Sequence, residues 1–171
     1  MDITIIKGEL TNQETGIPIG QKNAPHHSRE FLNLACPYCK KWFFASSDLL
    51  NEKTNSGQLL RTIKLLDKDK ESLRKGNFLH DYVPKTDSQK AIAAITDIFV
   101  TQKEWQELSL PELKDFAENH LGLSLSADHE MKEAVRKEAN AANIQFVPTI
   151  WLDGHLFDES IELESLEEYL G

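Results

Sequence analysis

Cysteine is scarce in this chain: 171 residues hold two, Cys36 and Cys39. A bridge between residues this close closes too small a loop to staple a fold of this size, so the chain is no disulfide-built scaffold. With 8 Gly and 6 Pro it is neither collagen-like nor of low complexity. Internal repeats and heptads are absent as well. The longest run of small apolar residues, Ala91-Ile92-Ala93-Ala94-Ile95, is far short of the about 20 residues that span a bilayer. No basic run offsets a net charge of −9, and a nucleic-acid backbone would be repelled overall. The start, Met1-Asp2-Ile3-Thr4-Ile5-Ile6-Lys7, lacks the basic region and apolar core of a secretory signal. These absences lead us to expect a soluble, cytoplasmic protein with no membrane and no nucleic-acid partner.

What is present is ordinary globular composition, 40% hydrophobic and 27% charged, at a length that favours one domain. Residues 1–6 read as a short strand, and residues 11–24, with Gly16, Pro18 and Gly20, as a loop arm. Residues 30–35 form an apolar strand leading into the cysteines. Tyr38, Trp42, Phe43, Ser46, Leu49 and Leu50 then recur at helical spacing, and a second strand is expected over 58–66. From 69 to 142 the pattern is helical, with a capping box and early proline at Ser109-Leu110-Pro111-Glu112. A strand over 149–153 turns at Asp153-Gly154 into residues 155–158, and an amphipathic helix closes the chain. This order is an α/β sandwich: 1–66 and 143–171 supply the sheet domain, and 67–142 a helical subdomain inserted in its middle.

The chemistry concentrates at Cys36-Pro37-Tyr38-Cys39, at the junction of strand and helix. Cys36 falls at the helix N-cap and Pro37 at the first helical position, where a missing N–H costs nothing. Unpaired N–H groups and the helix dipole there favour a thiolate, the reactive form of cysteine. Cys39, one turn on, points to the same side and is placed to resolve a mixed disulfide formed at Cys36. Two blander readings compete. A structural zinc site is short of ligands by two, because the six histidines show no His-x3–5-His spacing. Alternatively, both thiols are buried and inert.

At this point the sequence resembles the DsbA-like branch of the thioredoxin-fold thiol–disulfide oxidoreductases. The resemblance rests on the Cys-Pro-Tyr-Cys motif between strand and helix, on Val147-Pro148 before a late apolar strand, on the Asp153-Gly154 hairpin with its final helix, and on the long helical block. It implies a thioredoxin-like mixed sheet with flanking helices, the helical insertion separating a βαβ half from a C-terminal ββα half. It further implies that Cys36 is the exposed nucleophile, that Cys39 is the buried resolving thiol, and that Pro148 is a cis-proline beside them. Val147 would offer its main chain to an extended substrate, with Pro37 and Tyr38 flanking that site. Glu30 matches an acid buried beneath the active site; desolvation would raise its pKa and let it take the Cys39 proton. Its plainer reading is an exposed strand-edge charge.

The implied activity is disulfide exchange with protein or small-molecule substrates and a redox partner of unknown identity, with neither cofactor nor metal. Two departures from the family pattern carry expectations. Tyr38 replaces a histidine found in strongly oxidising members, so a less oxidising couple is expected. The polar start His26-His27-Ser28-Arg29 suggests a central strand that is short or irregular there. Other readings are a glutathione-linked isomerase or transferase, which typically lacks the second cysteine, and a redox-sensing peptide-binding adaptor without turnover. Trp42, Phe43 and Phe44 are read mainly as core, and Lys40 and Lys41 as a solvated face.

Overall fold

The computed structural model of the chain describes residues 2–171. Five strands form one mixed sheet: β1 (Ile17–Ile19), β2 (His26–Leu32), β3 (Leu59–Leu65), β4 (Thr149–Leu152) and β5 (His155–Phe157), in the order β1-β3-β2-β4-β5. β2 and β3 run parallel, joined by helix α1 (Pro37–Asn55), while the other pairs are antiparallel. Between β3 and β4 come α2 (Arg74–His80), α3 (Ser88–Val100), α4 (Gln102–Trp105), α5 (Leu110–Asp115) with a π-helical turn at Phe116–His120, and α6 (His129–Ala141). Helix α7 (Leu163–Tyr169) follows β5. The result is a thioredoxin-like α/β fold, as the order of elements predicts.

Alternation along the central strands builds two apolar layers. Leu32, Ile63 and Leu65 join Cys39, Trp42 and Phe43 of α1, Ile95 and Phe99 of α3, and Leu166 of α7 in the larger cluster. Phe31 belongs to the smaller one, with Ile6 and with Val135 and Ala139 of α6. Trp105 and Leu113, from the helices between β3 and β4, sit in the same cluster as Ile63 and Leu65.

Local signals hold where neighbouring residues decide the conformation. Ser109 and Glu112 complete the reciprocal capping box of α5. Asp153 and Gly154 both take positive φ, 48° and 92°, the geometry a tight hairpin needs.

Several element expectations are corrected. Met1 lies outside the described residues, and Ile3–Ile5 is a 3₁₀ turn instead of a strand. The arm at 11–24 contains β1, an edge strand in which Pro18 is tolerated beside β3. The helix expected over 88–105 is interrupted at Thr101, where α3 ends and α4 begins. β2 starts regularly at His26, paired with Leu59, despite its polar residues. Each of these finds a partner: His26 Nδ1 lies 2.7 Å from Asp153 Oδ2, His27 Nε2 lies 3.0 Å from Ala24 O, and Arg29 donates to Thr11 O at 2.7 Å. Arg29 also stacks over Trp151, 4.0 Å from the ring centre.

Candidate active site

β2 ends at Leu32, short of the expected residue 35, because Asn33 bends the chain. Its Oδ1 accepts from Ala35 N at 3.0 Å and its carbonyl accepts from Cys36 N at 3.1 Å. This is the self-turning hydrogen-bond pattern that asparagine favours. The side-chain amide of Asn33 donates to Leu66 O at 3.0 Å and to Asn77 Oδ1 at 2.9 Å. The turn delivers Cys36 to the N-cap of α1 in extended conformation, with Pro37 opening the helix.

Both cysteines are buried, which corrects the expectation of an exposed nucleophile at Cys36, but their surroundings differ. Cys36 is 6% exposed, and its thiol lies 3.5 Å from the carbonyl of Val147. Cys39 is fully buried and accepts the main-chain N–H of Asn33 at 3.4 Å. The Val147–Pro148 peptide bond is cis, and the Val147 carbonyl brings this loop against Cys36 from the far end of the sequence. The thiol of Cys39, hydrogen-bonded to Cys36, lowers the Cys36 pKa to about 7; burial opposes it, and the N–H groups of Cys39 and Tyr38 assist. Burial pushes Cys39 well above the ordinary thiol value, and the neighbouring Cys36 adds to that rise. One sulfur is primed as a thiolate and the other is held as a thiol.

Glu30 is fully buried, so the strand-edge reading fails. The raised pKa expected of it is also corrected. Burial is the strongest single influence and would raise it, but the Arg61 charge and the hydrogen bonds from Arg61, Trp42 and Ser28 together outweigh burial, holding the carboxyl below its ordinary value. Arg61 donates from Nε at 2.7 Å and NH2 at 2.9 Å, and Trp42 Nε1 donates at 3.0 Å. Glu30 is therefore an ionised carboxylate tying β2, β3 and α1 together.

Of the remaining expected site residues, Pro37 is exposed, Tyr38 is 58% exposed, Val147 is half-buried and Pro148 is buried. Phe146, the residue before Val147, is exposed as well. Trp42 and Phe43 are core, and Phe44 lies partly open against Phe43 and Phe99.

Sequence reasoning missed Arg61, Asn33, His80 and Gln102. Arg61 had a signal: an arginine amid Leu59, Leu60 and Ile63 demands a buried acid partner. Asn33, just before the cysteines, is a turn former. His80 and Gln102 reach Leu34 from helices 46 and 68 residues away, and no local pattern marks them.

A family profile described as Thioredoxin matches residues 12–171. No curated protein matches the sequence. Among solved structures, a conserved protein of unknown function from Enterococcus faecalis V583 is 46% identical, with 99% of this chain and 97% of that chain covered and a TM-score of 0.97. MdbA, a thiol-disulfide oxidoreductase from Corynebacterium diphtheriae, shares the fold at 16% identity, with 94% and 95% covered and a TM-score of 0.64. A periplasmic thioredoxin-like protein from Salmonella enterica serovar Typhimurium does so at 18% identity, with 99% and 95% covered and a TM-score of 0.64.

The last similarity overturns the cytoplasmic expectation, since this fold and helix arrangement occur in a protein that works outside the cytoplasm. The start of the chain decides nothing about compartment; no helix among the described residues is long and apolar enough to cross a membrane. The strand–cysteine–helix junction, the cis Val147–Pro148 loop against it and the profile match over residues 12–171 have one common explanation: the chain belongs to the thioredoxin family.

Proposed function

We propose that this protein is a thiol–disulfide oxidoreductase that uses both cysteines. The observation that carries the proposal is the asymmetry of the pair: Cys36 at a helix N-cap with a pKa of about 7, Cys39 buried behind it with a raised one. A thiolate at neutral pH attacks, and a protected thiol waits until the mixed disulfide forms.

In the reducing direction, the Cys36 thiolate attacks one sulfur of a substrate disulfide. A bond forms between Cys36 and that sulfur, the substrate S–S bond breaks, and the second substrate sulfur leaves with the electron pair and takes a proton from water. Cys39 then loses its proton to solvent, attacks Cys36 and expels the first substrate sulfur as thiolate. Two electrons have passed from the cysteine pair to the substrate. The oxidising direction runs the same steps in reverse.

Val147 supports this by placing its carbonyl beside Cys36, where an extended polypeptide next to Pro148 would pair with main-chain groups. Tyr38, Pro37 and Phe146 would line that approach with apolar surface. Glu30 contributes as a positioning charge: its carboxylate holds Trp42 of α1 and Arg61 of β3 beneath the cysteines. Substrates are disulfide- or thiol-bearing proteins or small molecules.

Insulin reduction with a dithiol reductant tests the reading. The wild type should turn over, Cys36→Ser should be inactive, and Cys39→Ser should stop at a mixed disulfide visible by mass. Full turnover by Cys39→Ser would sink the dithiol mechanism.

A further inference from the structure

The three residues before Cys36 are held almost entirely by side chains. Leu34 donates its N–H to His80 Nε2 at 3.2 Å, and its carbonyl accepts from Gln102 Nε2 at 2.9 Å. Asn33 is fixed by its own side chain, Leu66 and Asn77. His80 closes helix α2 and is 2% exposed. Its other nitrogen, Nδ1, lies 2.7 Å from Asp67 Oδ1.

These contacts dictate the tautomer. A main-chain N–H only donates, so Nε2 must present a lone pair to Leu34. The ring proton therefore sits on Nδ1 and points at the Asp67 carboxylate, which only accepts. Burial holds His80 below the ordinary histidine value, and Asp67 opposes that without overcoming it, so the ring stays neutral. The charged groups around it are Asp67 before α2, Lys132 on α6 bridging Asp67 at 3.2 Å and Asp81 at 2.8 Å, and Lys85, whose ammonium donates to the His80 carbonyl. A second ring proton would set two donors, Nε2–H and Leu34 N–H, face to face.

We propose that His80 is a positioning residue for the reactive cysteines: as the Nδ1-protonated tautomer it fixes Leu34, and through Leu34 the adjoining Asn33 groups that meet both cysteines. Those groups are the Asn33 N–H behind the Cys39 sulfur and the Asn33 carbonyl that receives the Cys36 N–H. His80 itself touches neither sulfur in any contact described above. Its effect is transmitted by one turn of main chain. The inference rests on the dithiol reading for its purpose, but the clamp is measurable without any substrate.

The test is a titration of Cys36 thiolate absorbance in the reduced full-length chain. In His80→Leu, which removes the acceptor, the titration should move up from about 7 and alkylation at neutral pH should slow several-fold. His80→Gln can accept from Leu34 and donate to Asp67, and should restore most of the rate. Asp67→Asn, which releases the tautomer, should shift the titration in the same direction by less, while Lys132→Met should leave it in place. An unshifted titration in a folded His80→Leu, or equal effects of Leu and Gln, would overturn the proposal.

Should His80→Leu fail to fold, nitrogen NMR of the wild type decides instead. A ring proton on Nε2, or a Leu34 amide that exchanges as freely as a surface amide, would overturn it, and an Nδ1 proton with a protected Leu34 amide would sustain it. A wild type that reduces no disulfide would defeat the proposed activity and leave this titration standing.

Discussion

Arg61 and Glu30 form a two-point ion pair with no exposure to speak of: Nε to Oε1 at 2.7 Å and NH2 to Oε2 at 2.9 Å, the side chains 2% and 0% exposed. Parallel pairing of β2 with β3 sets Arg61 opposite Ser28, two residues from Glu30, and so on the same face of the sheet. Trp42 and Ser28 donate to the carboxylate as well. Such a pair is costly to break, because removing one partner strands a buried charge.

Arg61→Leu should therefore destabilise the protein by about 3–5 kcal/mol, read as a lower urea midpoint. Glu30→Leu combined with Arg61→Leu should recover most of that loss, since no charge is then left unpaired. A small effect of Arg61→Leu would mean that water reaches Glu30.

The same pair sets a pH dependence. The Glu30 carboxyl is held below its ordinary value in the folded chain. Its stabilisation is thus fully present above the unfolded glutamate value, about 4.3, and is lost as pH falls through the lower folded value. Urea midpoints measured from neutral pH down to acid should fall more steeply for wild type than for Glu30→Gln below about pH 4.3. Parallel curves would show that Glu30 is not the titrating group.

Alkylation should distinguish the cysteines. Cys36 should reach half-maximal reactivity at a pH of about 7. Cys39 should stay unlabelled until strongly alkaline pH or until unfolding, because burial raises its pKa and hides its sulfur. Mass mapping of labelled peptides across a pH series reads both.

A Cys36 value of about 7 also bears on the redox couple. Thioredoxin has a nucleophile of about 7 and a potential of about −270 mV, against about 3.5 and −120 mV for DsbA. The less the reduced pair is stabilised as thiolate, the more reducing the couple. Equilibration with glutathione should place Cys36–Cys39 nearer −270 mV than −120 mV. A value near the oxidising end would contradict the expectation drawn from Tyr38.

Gly76 makes the α2 helix fit against the cysteine loop. A Cβ there would press on Asn33 Oδ1, with Ala35 N only 2.5 Å away and Ala35 Cβ at 2.9 Å. Gly76→Ala should cost about 1–3 kcal/mol, the usual range for forcing atoms into a packed site. Thermal melts would show it, and an unchanged melt would mean that the loop yields easily.

Much of this molecule was legible in order along the chain. Cys36 at the N-cap, Pro37 behind it, the Ser109–Glu112 box and the Asp153-Gly154 turn all depend on residues within a few positions of one another, where conformation follows from local hydrogen bonds and allowed φ. β1 was missed because Pro18 and two flanking glycines outweigh Ile17 and Ile19 in a local reading, while pairing with β3 outweighs them in the fold. The polar start of β2 misled for a similar reason: its partners, Asp153, Thr11 and Trp151, lie far off in sequence.

The chain's own order of residues settled which sulfur opens the helix, which follows one turn later, and what kind of α/β fold surrounds them. Tertiary packing alone decided the protonation of Glu30, by putting Arg61 under it, and the support of the Cys36 loop, by bringing His80 and Gln102 to Leu34. The reason is physical: a helix cap is a contact between neighbours, whereas the charge state of a buried group is fixed by whatever the fold sets within a few ångströms of it.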